Sequence, residues 1–507
     1  MKALASLVLI LSAFALLSAC GERGPAPLDT AHAAFASQDY EAARFSIMKT
    51  LETEPGNLDA LQMLARTEIA LGNADAADRA ISRFVAAGGK GRVLNRLKSG
   101  AVLVRGLPKD AIALVVNDFD TDAWRLRGEA HLAMGEKSAA AQAFQKGMSA
   151  GDDLPLAVAY ARFALGNNDL LLAEKILSRI QRFARRSYNA FALAGDLALA
   201  RGETEKAIAA YRRTIAAYPS RIDPMLALAE TYGFLGKSGE AMALVDKAGK
   251  VKPSDPRIEN LRIRLLAQQG DWEKIRLSLQ GREGGLDPAS PLGLAYGEAL
   301  LRLGQAEQAR VLFSRAALLD PANPYCRAML GEAMLATGDA SGAWKTLEPL
   351  SASPLAPAAL LVVAEKAARA SGDPKADALR VRLDPERIRL TMDLIEKGQT
   401  ALDRQNWSEA RSIYSRLLAG GDDAEVLGRL VWASAGLGRP REAIAYADRA
   451  LAQDADNPAY MHSAALVRLE LGVDLATARR LLEAAADADP GNADIARDLQ
   501  KAKAAAG

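Results

Sequence analysis

Apolar and small residues recur along this chain in a fixed frame, and polar turns interrupt them at a fixed step. The frame is set by glycine: Gly202, Gly236, Gly270, Gly304, Gly338 and Gly372 follow one another at a single unchanging interval. Gly72 and Gly106 keep the same step, as do Gly438 and Gly472. A small residue stands seven places before the glycine (Ala65, Ser99, Gly128, Ala159, Gly195, Ala229, Gly297, Gly331). Alanine stands five places after it (Ala77, Ala111, Ala140, Ala207, Ala241, Ala309, Ala343). A bulky apolar residue stands nine places after it (Ile81, Val115, Phe144, Tyr211, Val245, Phe313, Leu347). Pro219, Pro253 and Pro321 close their units. No stretch alternates like a strand for long. The pattern therefore predicts pairs of antiparallel helices. The glycine ends the first helix because a left-handed residue costs least without a Cβ. The small residue and the alanine let the two helices approach, and the bulky residue fills the space beside them. The proline stops the second helix.

A step of this length marks a solenoid of stacked supersecondary units. Counting gives about fourteen. The first is anchored on Ala31, Ala43 and Pro55, with Gln38 at the glycine position. Others are anchored at Gly72, Gly106, Gly135 and Gly166, then at the regular run from Gly202 to Gly372, then at Gln405, Gly438 and Gly472. Steps around Gly135 and Gly166 are irregular. Two units are degenerate: Ile263 and Ile275 replace small residues around Gly270, and Glu365 and Asp377 do so around Gly372. The solenoid is expected to bend at these irregular places. Residues 28–492 form the array, and the charged segment 493–507 is expected to be a helix that caps the last apolar face.

The unit resembles the tetratricopeptide repeat. In Ile222–Asp255, Leu228-Ala229, Tyr232, Gly236, Ala241, Ala248 and Pro253 stand where that family places apolar-small, aromatic, Gly, Ala, Ala and Pro. Ser290–Asn323 matches with Gly297, Leu300, Gly304, Ala309, Phe313, Ala316 and Pro321. The resemblance covers nearly all of the chain after about residue 24. It implies an all-α right-handed superhelix whose main work is binding other proteins.

The first twenty residues, MKALASLVLILSAFALLSAC, read as a targeting segment. Lys2 gives the positive region and Ala3–Leu17 the apolar one, too short for a stable span. Leu17-Ser18-Ala19-Cys20 resembles the bacterial lipobox. The resemblance implies a leader over 1–19, cleavage before Cys20 and acylation of that cysteine, with 20–27 as a tether. Gly21 rather than aspartate follows the cysteine. By the family's sorting rule this implies the outer membrane, facing the periplasm. Cys326, the second of two cysteines, then has no partner for a disulfide.

Chemistry is sparse. The net charge of +2 carries no nucleic-acid footprint. His32, His131 and His462 are far apart in a linear array, so no metal site is expected from them. Gly236-Lys237-Ser238 resembles the end of a phosphate loop, but Thr231 occupies the place of its first glycine. No carboxylate pair is singled out by an apolar pocket that would split its pKa values. No enzyme, cofactor, metal or small-molecule substrate is expected.

Two charge patterns remain. Lys175, Arg179, Arg182 and Arg186 step by four, three and four, with Arg185 beside them, and form a candidate anion-binding stripe. The second lies six places before the glycines, on the helix that faces the concave side in the resembled family. There stand Glu129, Asp196, Glu230, Glu298 and Glu332, interrupted by Tyr160 and Arg264. Three places before the glycines stand Leu132, Phe163, Leu199, Leu301 and Leu335. Together they make a candidate groove for an extended or helical peptide with basic and apolar side chains. The sequence reads best as a lipid-anchored envelope scaffold that binds proteins or peptides, with exopolysaccharide export as the favoured process. The alternative is a periplasmic factor for outer-membrane protein, pilus or secretin biogenesis, or for recruiting cell-wall enzymes.

Overall fold

The computed structural model describes residues 26–505, apart from 322, 419–422, 454, 490 and 491. The leader and Cys20 lie outside the described residues. The described residues form 29 α-helices and no strand, arranged as fourteen hairpins and a final helix, Ala493–Ala505. They fall into two compact units, ending at Ile258 and beginning at Glu259.

Side chains open the helices and a left-handed residue closes the first helix of each hairpin. Asn57, Asp153, Ser187, Ser290 and Asp423 each cap a first helix by accepting a backbone N–H. At Gly202 (φ 71°), the amide bonds Leu199 and the next amide bonds Ala198, so orphan carbonyls are satisfied. Gln38 (φ 62°) and Gln405 (φ 56°) take the same conformation without glycine's freedom. The fifth hairpin differs from expectation. Gly166 lies inside the helix Leu154–Gly166, and the left-handed residue is Asn168 at φ 58°. Asparagine tolerates this region because its short amide bonds locally. With Asn168 as anchor, the step on to Gly202 equals the common one and the step from Gly135 falls only one short of it, so the main irregularity is the short step between Gly106 and Gly135.

Each second helix ends two residues before its proline: Ala217 before Pro219, Val251 before Pro253, Leu319 before Pro321. The small-to-bulky rule is visible in the packing. A Cβ on Gly331 would stand 2.5 Å from Leu347, and one on Gly128 or Gly195 would strike the ring of Phe144 or Tyr211. The core runs from hairpin to hairpin; one cluster joins Ala140, Phe144, Leu156, Ala173, Ile176 and Leu193. A wholly buried ring such as Phe144 contributes about 2 kcal/mol by leaving water. The final helix adds Ile495 and Ala502 to the cluster of Ala478, Leu482 and Ala485, covering the last hairpin.

Three second helices are short. Pro108–Leu114 has 7 residues and Trp272–Leu279 and Lys375–Arg382 have 8, whereas Ala306–Leu319 has 14. In a hairpin stack, the end of a second helix lies between the N-terminal halves of its own first helix and the next one. A short second helix leaves that place to be filled otherwise. After Leu114 the chain spends six residues, 115–120, on it. Val115 is buried there, and Arg127 donates to the carbonyls of Val115, Val116 and Asp118. The Arg127 guanidinium stacks 4.2 Å from the Trp124 ring centroid. After Leu279 eleven residues, 280–290, fold back. Pro288 is buried, the Asp287 carbonyl lies where a Cβ on Gly293 would stand, and Tyr296 donates to Glu283 at 3.0 Å. After Arg382 only Leu383 and Asp384 precede the next helix, Pro385–Asp403.

Candidate functional site

The first helices of neighbouring hairpins touch one another. Thr121–Ala133 meets Leu154–Gly166, which meets Tyr188–Ala200, and Pro291–Arg302 meets Pro324–Ala336. First helices meet in this way over part of each unit, and the candidate groove residues lie on first helices.

In the first unit the acids do not stand alone. Arg125 clamps Glu129 at 2.7 and 2.8 Å and Asp122 at 2.7 Å, and Arg66 reaches Asp122 at 3.4 Å. Burial raises the Asp122 carboxyl, but Arg125 and Arg66 outweigh it and hold the group below its ordinary value. Asp196 accepts from the Tyr211 hydroxyl at 2.9 Å. Burial pushes its carboxyl up, against that bond and the charge of Arg162. The Tyr211 phenol is pushed up by burial, Asp196 and Glu230. The corrected anchor at Asn168 also moves the register. Tyr160 leaves the groove row: it is buried and stacks on Phe144 at 5.6 Å, and Arg162 takes the place six before the anchor. Arg162, Arg125 and Arg221 all bear on the Tyr40 phenol, which burial raises above its ordinary value. Arg221 donates to the Gln38 carbonyl and pairs with Asp223 at 2.6 Å, while its guanidinium lies 4.7 Å from the Tyr188 ring centroid. The first hairpin thus touches the segment before the seventh.

In the second unit one arginine serves both acids. Arg302 pairs with Glu332 and, at 3.2 Å, with Glu298. Tyr325 donates to Glu298 at 2.6 Å. Leu301 is buried and Leu335 half-buried, packed on the core of Trp344 and Leu361, whereas Leu199 in the first unit is exposed. Of the five apolar candidates, Leu199 and Leu132 are exposed.

Sequence reasoning missed the arginines. Arg125 and Arg302 stand four residues from Glu129 and Glu298 on the same helices, a spacing that pairs side chains across one turn. That spacing was the available signal.

The basic stripe is divided. Lys175, Arg179 and Arg182 lie on Leu170–Phe183, but Arg186 falls in the turn beyond it, so the four do not share one helix face. The helix ends at Phe183 because the next first helix begins at its Ser187 cap. Arg179 is tied to Asp152 at 2.7 Å, and the Arg186 carbonyl accepts from Tyr218 at 2.5 Å. Lys175 and Arg182 are exposed.

The histidines are separate. His32 pairs with Asp59, His131 with Glu136 and His462 with Asp498. Among the described residues no three metal-ligating groups gather, and no helix is long and apolar enough to cross a membrane. Cys326 is fully buried, and burial raises its thiol.

Residues 198–273 and 294–364 match one tetratricopeptide repeat family, and residues 395–458 match a second. Among solved structures, the chain is similar to that of the APC/C hetero-tetramer Cut9-Hcn1, with a TM-score of 0.36 and 16% identity over 96% of this chain and 98% of that one. It is also similar to a tetratricopeptide repeat protein from Parabacteroides merdae ATCC 43184. That TM-score is 0.34, with 13% identity over 55% of this chain and 98% of the other. No curated protein matches it. Fourteen helical hairpins on one frame make the chain an all-α solenoid, and residues 198–273, 294–364 and 395–458 of it carry tetratricopeptide repeats.

Proposed function

We propose that this chain is a protein-interaction scaffold that binds partner segments on the inner face of its first helices. The observation that carries the proposal is that, within each unit by itself, acids on first helices stand beside arginines: Glu129 beside Arg125, with Asp196 and Glu230 on later first helices, in one, and Glu298 and Glu332 beside Arg302 in the other. A face of alternating sign suits a peptide of mixed charge, because each bound side chain exchanges one ion pair for another. Repeat solenoids of this kind generally bind proteins or peptides.

The proposed setting is the bacterial envelope. Acyl chains on Cys20 hold the solenoid to the outer membrane, and the array extends into the periplasm to organise an export machine, exopolysaccharide export being the favoured case. Support comes from the lipobox-like Leu17-Ser18-Ala19-Cys20. Each buried methylene of an anchor adds about 0.8 kcal/mol, so two or more chains make a stable attachment.

In-cell photocrosslinking from Leu199 and Glu298 is expected to capture envelope proteins. Charge reversal at Glu298 and Glu332 is expected to abolish that capture. Capture unchanged by the reversals removes the inner-face assignment. Metabolic labelling with an alkyne fatty acid is expected to mark the native protein and not Cys20→Ser; equal labelling of both removes the anchor.

A further inference from the structure

In a plain stack each hairpin touches only its neighbours. The turn of the first hairpin breaks that rule. It joins Pro27–Ala36 to Tyr40–Thr53, and its Gln38 carbonyl accepts from Arg221, 183 residues on. Arg221 is fixed from other sides: it pairs with Asp223 at 2.6 Å, and its guanidinium lies 4.7 Å from the ring centroid of Tyr188, which donates to Asp223 at 3.4 Å. Next to the turn stands Tyr40, edge-on to Phe35 with ring centroids 5.3 Å apart. Burial raises the Tyr40 phenol, and the charges of Arg221, Arg162, Arg125 and Glu129 reach it. Arg125 and Glu129 lie on Thr121–Ala133 and Arg162 on Leu154–Gly166, first helices that carry the candidate groove. An aromatic ring between two acids, Asp39-Tyr40-Glu41, is thus brought to three arginines of distant hairpins. The match is incomplete. Asp39 caps its own helix through the Ala42 amide, and Glu41 pairs with Arg44 at 2.5 Å. Arg221 therefore spends an N–H on a neutral carbonyl, where a carboxylate would make a charge-assisted bond about twice as strong. Arg162 is left exposed.

We propose that this turn is a stand-in for a partner: Arg221, Arg162 and Arg125 receive an acidic, aromatic segment of another protein, and that segment displaces the turn. The chain's own residues define the occupant. It carries a carboxylate where Gln38 offers its carbonyl and an aromatic ring two places on, with further acid beside the ring to meet Arg162. The turn holds the place by proximity, because a tethered segment competes at an effective concentration on the order of millimolar. A partner that lacks either the carboxylate or the ring does not displace it. The proposal rests on the scaffold reading and names the partner chemistry of the first unit alone; Glu298 and Glu332, in the other unit, take no part in it.

The test uses the full chain and a fluorescein-labelled peptide, FASEDYE, which is Phe35–Glu41 with glutamate in the place of Gln38. Anisotropy is expected to show weak binding to the native chain. Binding about tenfold tighter or more is expected for Tyr40→Ala, which removes the ring, and for Tyr40→Lys, which repels the arginines. Circular dichroism confirms that a variant is folded, and two variants keep the test intact if one is not. Added to the Tyr40→Ala chain, Arg162→Glu and Arg221→Ala are each expected to weaken binding by about tenfold. Saturating peptide is expected to quicken hydrogen exchange at 38–42 of the native chain, as the turn lifts. Equal affinity for the native chain and both Tyr40 variants overturns the proposal, since the turn then covers nothing. Absence of binding to every chain overturns it too, as does binding that neither arginine change weakens. Equal binding of a peptide with lysine in place of its three acids would remove the charge reading. Photocrosslinking from Glu298, in the other unit, does not depend on the turn, so its failure would count against the scaffold reading and not against this one.

Discussion

The third and eleventh hairpins share a defect and solve it differently. Both have a second helix about half the usual length. In the third, a buried arginine gathers three carbonyls of the following loop and lies against Trp124, so the vacancy becomes core. In the eleventh, an arginine again turns back to carbonyls, but those belong to the preceding helix end, and the vacancy stays open. The lesson is that a truncated helix does not by itself create a site. The length of chain that follows decides, six residues in one case and two in the other.

The comparison can be broken most severely at Arg127. Arg127→Ala strands buried carbonyls and removes the ring contact, and is expected to cost about 3 kcal/mol. Urea unfolding of the first unit, followed by hydrogen exchange at 115–127, reads the loss. Gly128→Ala is expected to cost about 2 kcal/mol, because the new Cβ would strike Phe144. The same change at Gly398, where the nearest ring atom of Tyr414 is 2.9 Å away, is expected to cost less. Arg382→Ala is expected to cost less, about 1–2 kcal/mol, since water can reach the carbonyl of half-buried Ser353 and only that of buried Ser351 is stranded. If Arg382→Ala proved as costly as Arg127→Ala, the contrast between plug and open groove would fail. Asn168→Gly and Gln405→Gly are each expected to raise stability by about 0.5–1 kcal/mol by relieving a left-handed residue, readable as a small rise in Tm.

A pH titration separates the two filled vacancies. Glu283 accepts from the Gly281 amide at 2.8 Å and from Tyr296, and these bonds hold its carboxyl below the usual range. A depressed carboxyl stabilises the fold fully above its unfolded value, about 4.3, and loses that contribution as pH falls through the folded value. Hydrogen exchange around 281–296 is therefore expected to quicken below about pH 4. The bonds from Arg127 to the carbonyls of Val115 and Val116 involve no acid and are expected to be less affected. Equal acid sensitivity of the two loops would remove the distinction.

Much of the fold is legible in the sequence because glycine, alanine and bulky residues keep one frame. Gln38 and Gln405 can be placed without glycine, since their neighbours hold the offsets. The fifth anchor is misread because Gly166 lies two residues from Asn168, and asparagine can take the left-handed turn. The third hairpin's truncation shows in the sequence as the shortened step from Gly106 to Gly135. The eleventh's does not, because the step from Gly372 to Gln405 falls only one short of the common interval. There, residues lost from the second helix reappear in the 19-residue first helix Pro385–Asp403, started early by an Asp384 cap and Pro385. The inner acids are legible as a row, but their partners need geometry: Tyr211 and Tyr325 reach Asp196 and Glu298 from other helices.

The bond from Arg221 to the Gln38 carbonyl spans 183 residues of chain. A plain stack of repeats behaves like a ladder whose end rungs fray first, each rung leaning only on the next. A tie between the first rung and the approach to the seventh turns that ladder into a loop. The first hairpin is then no longer a free end, and it loosens only when the tie is cut. The late closing of so wide a loop would also give the first unit a slow folding step that its local helices alone do not require.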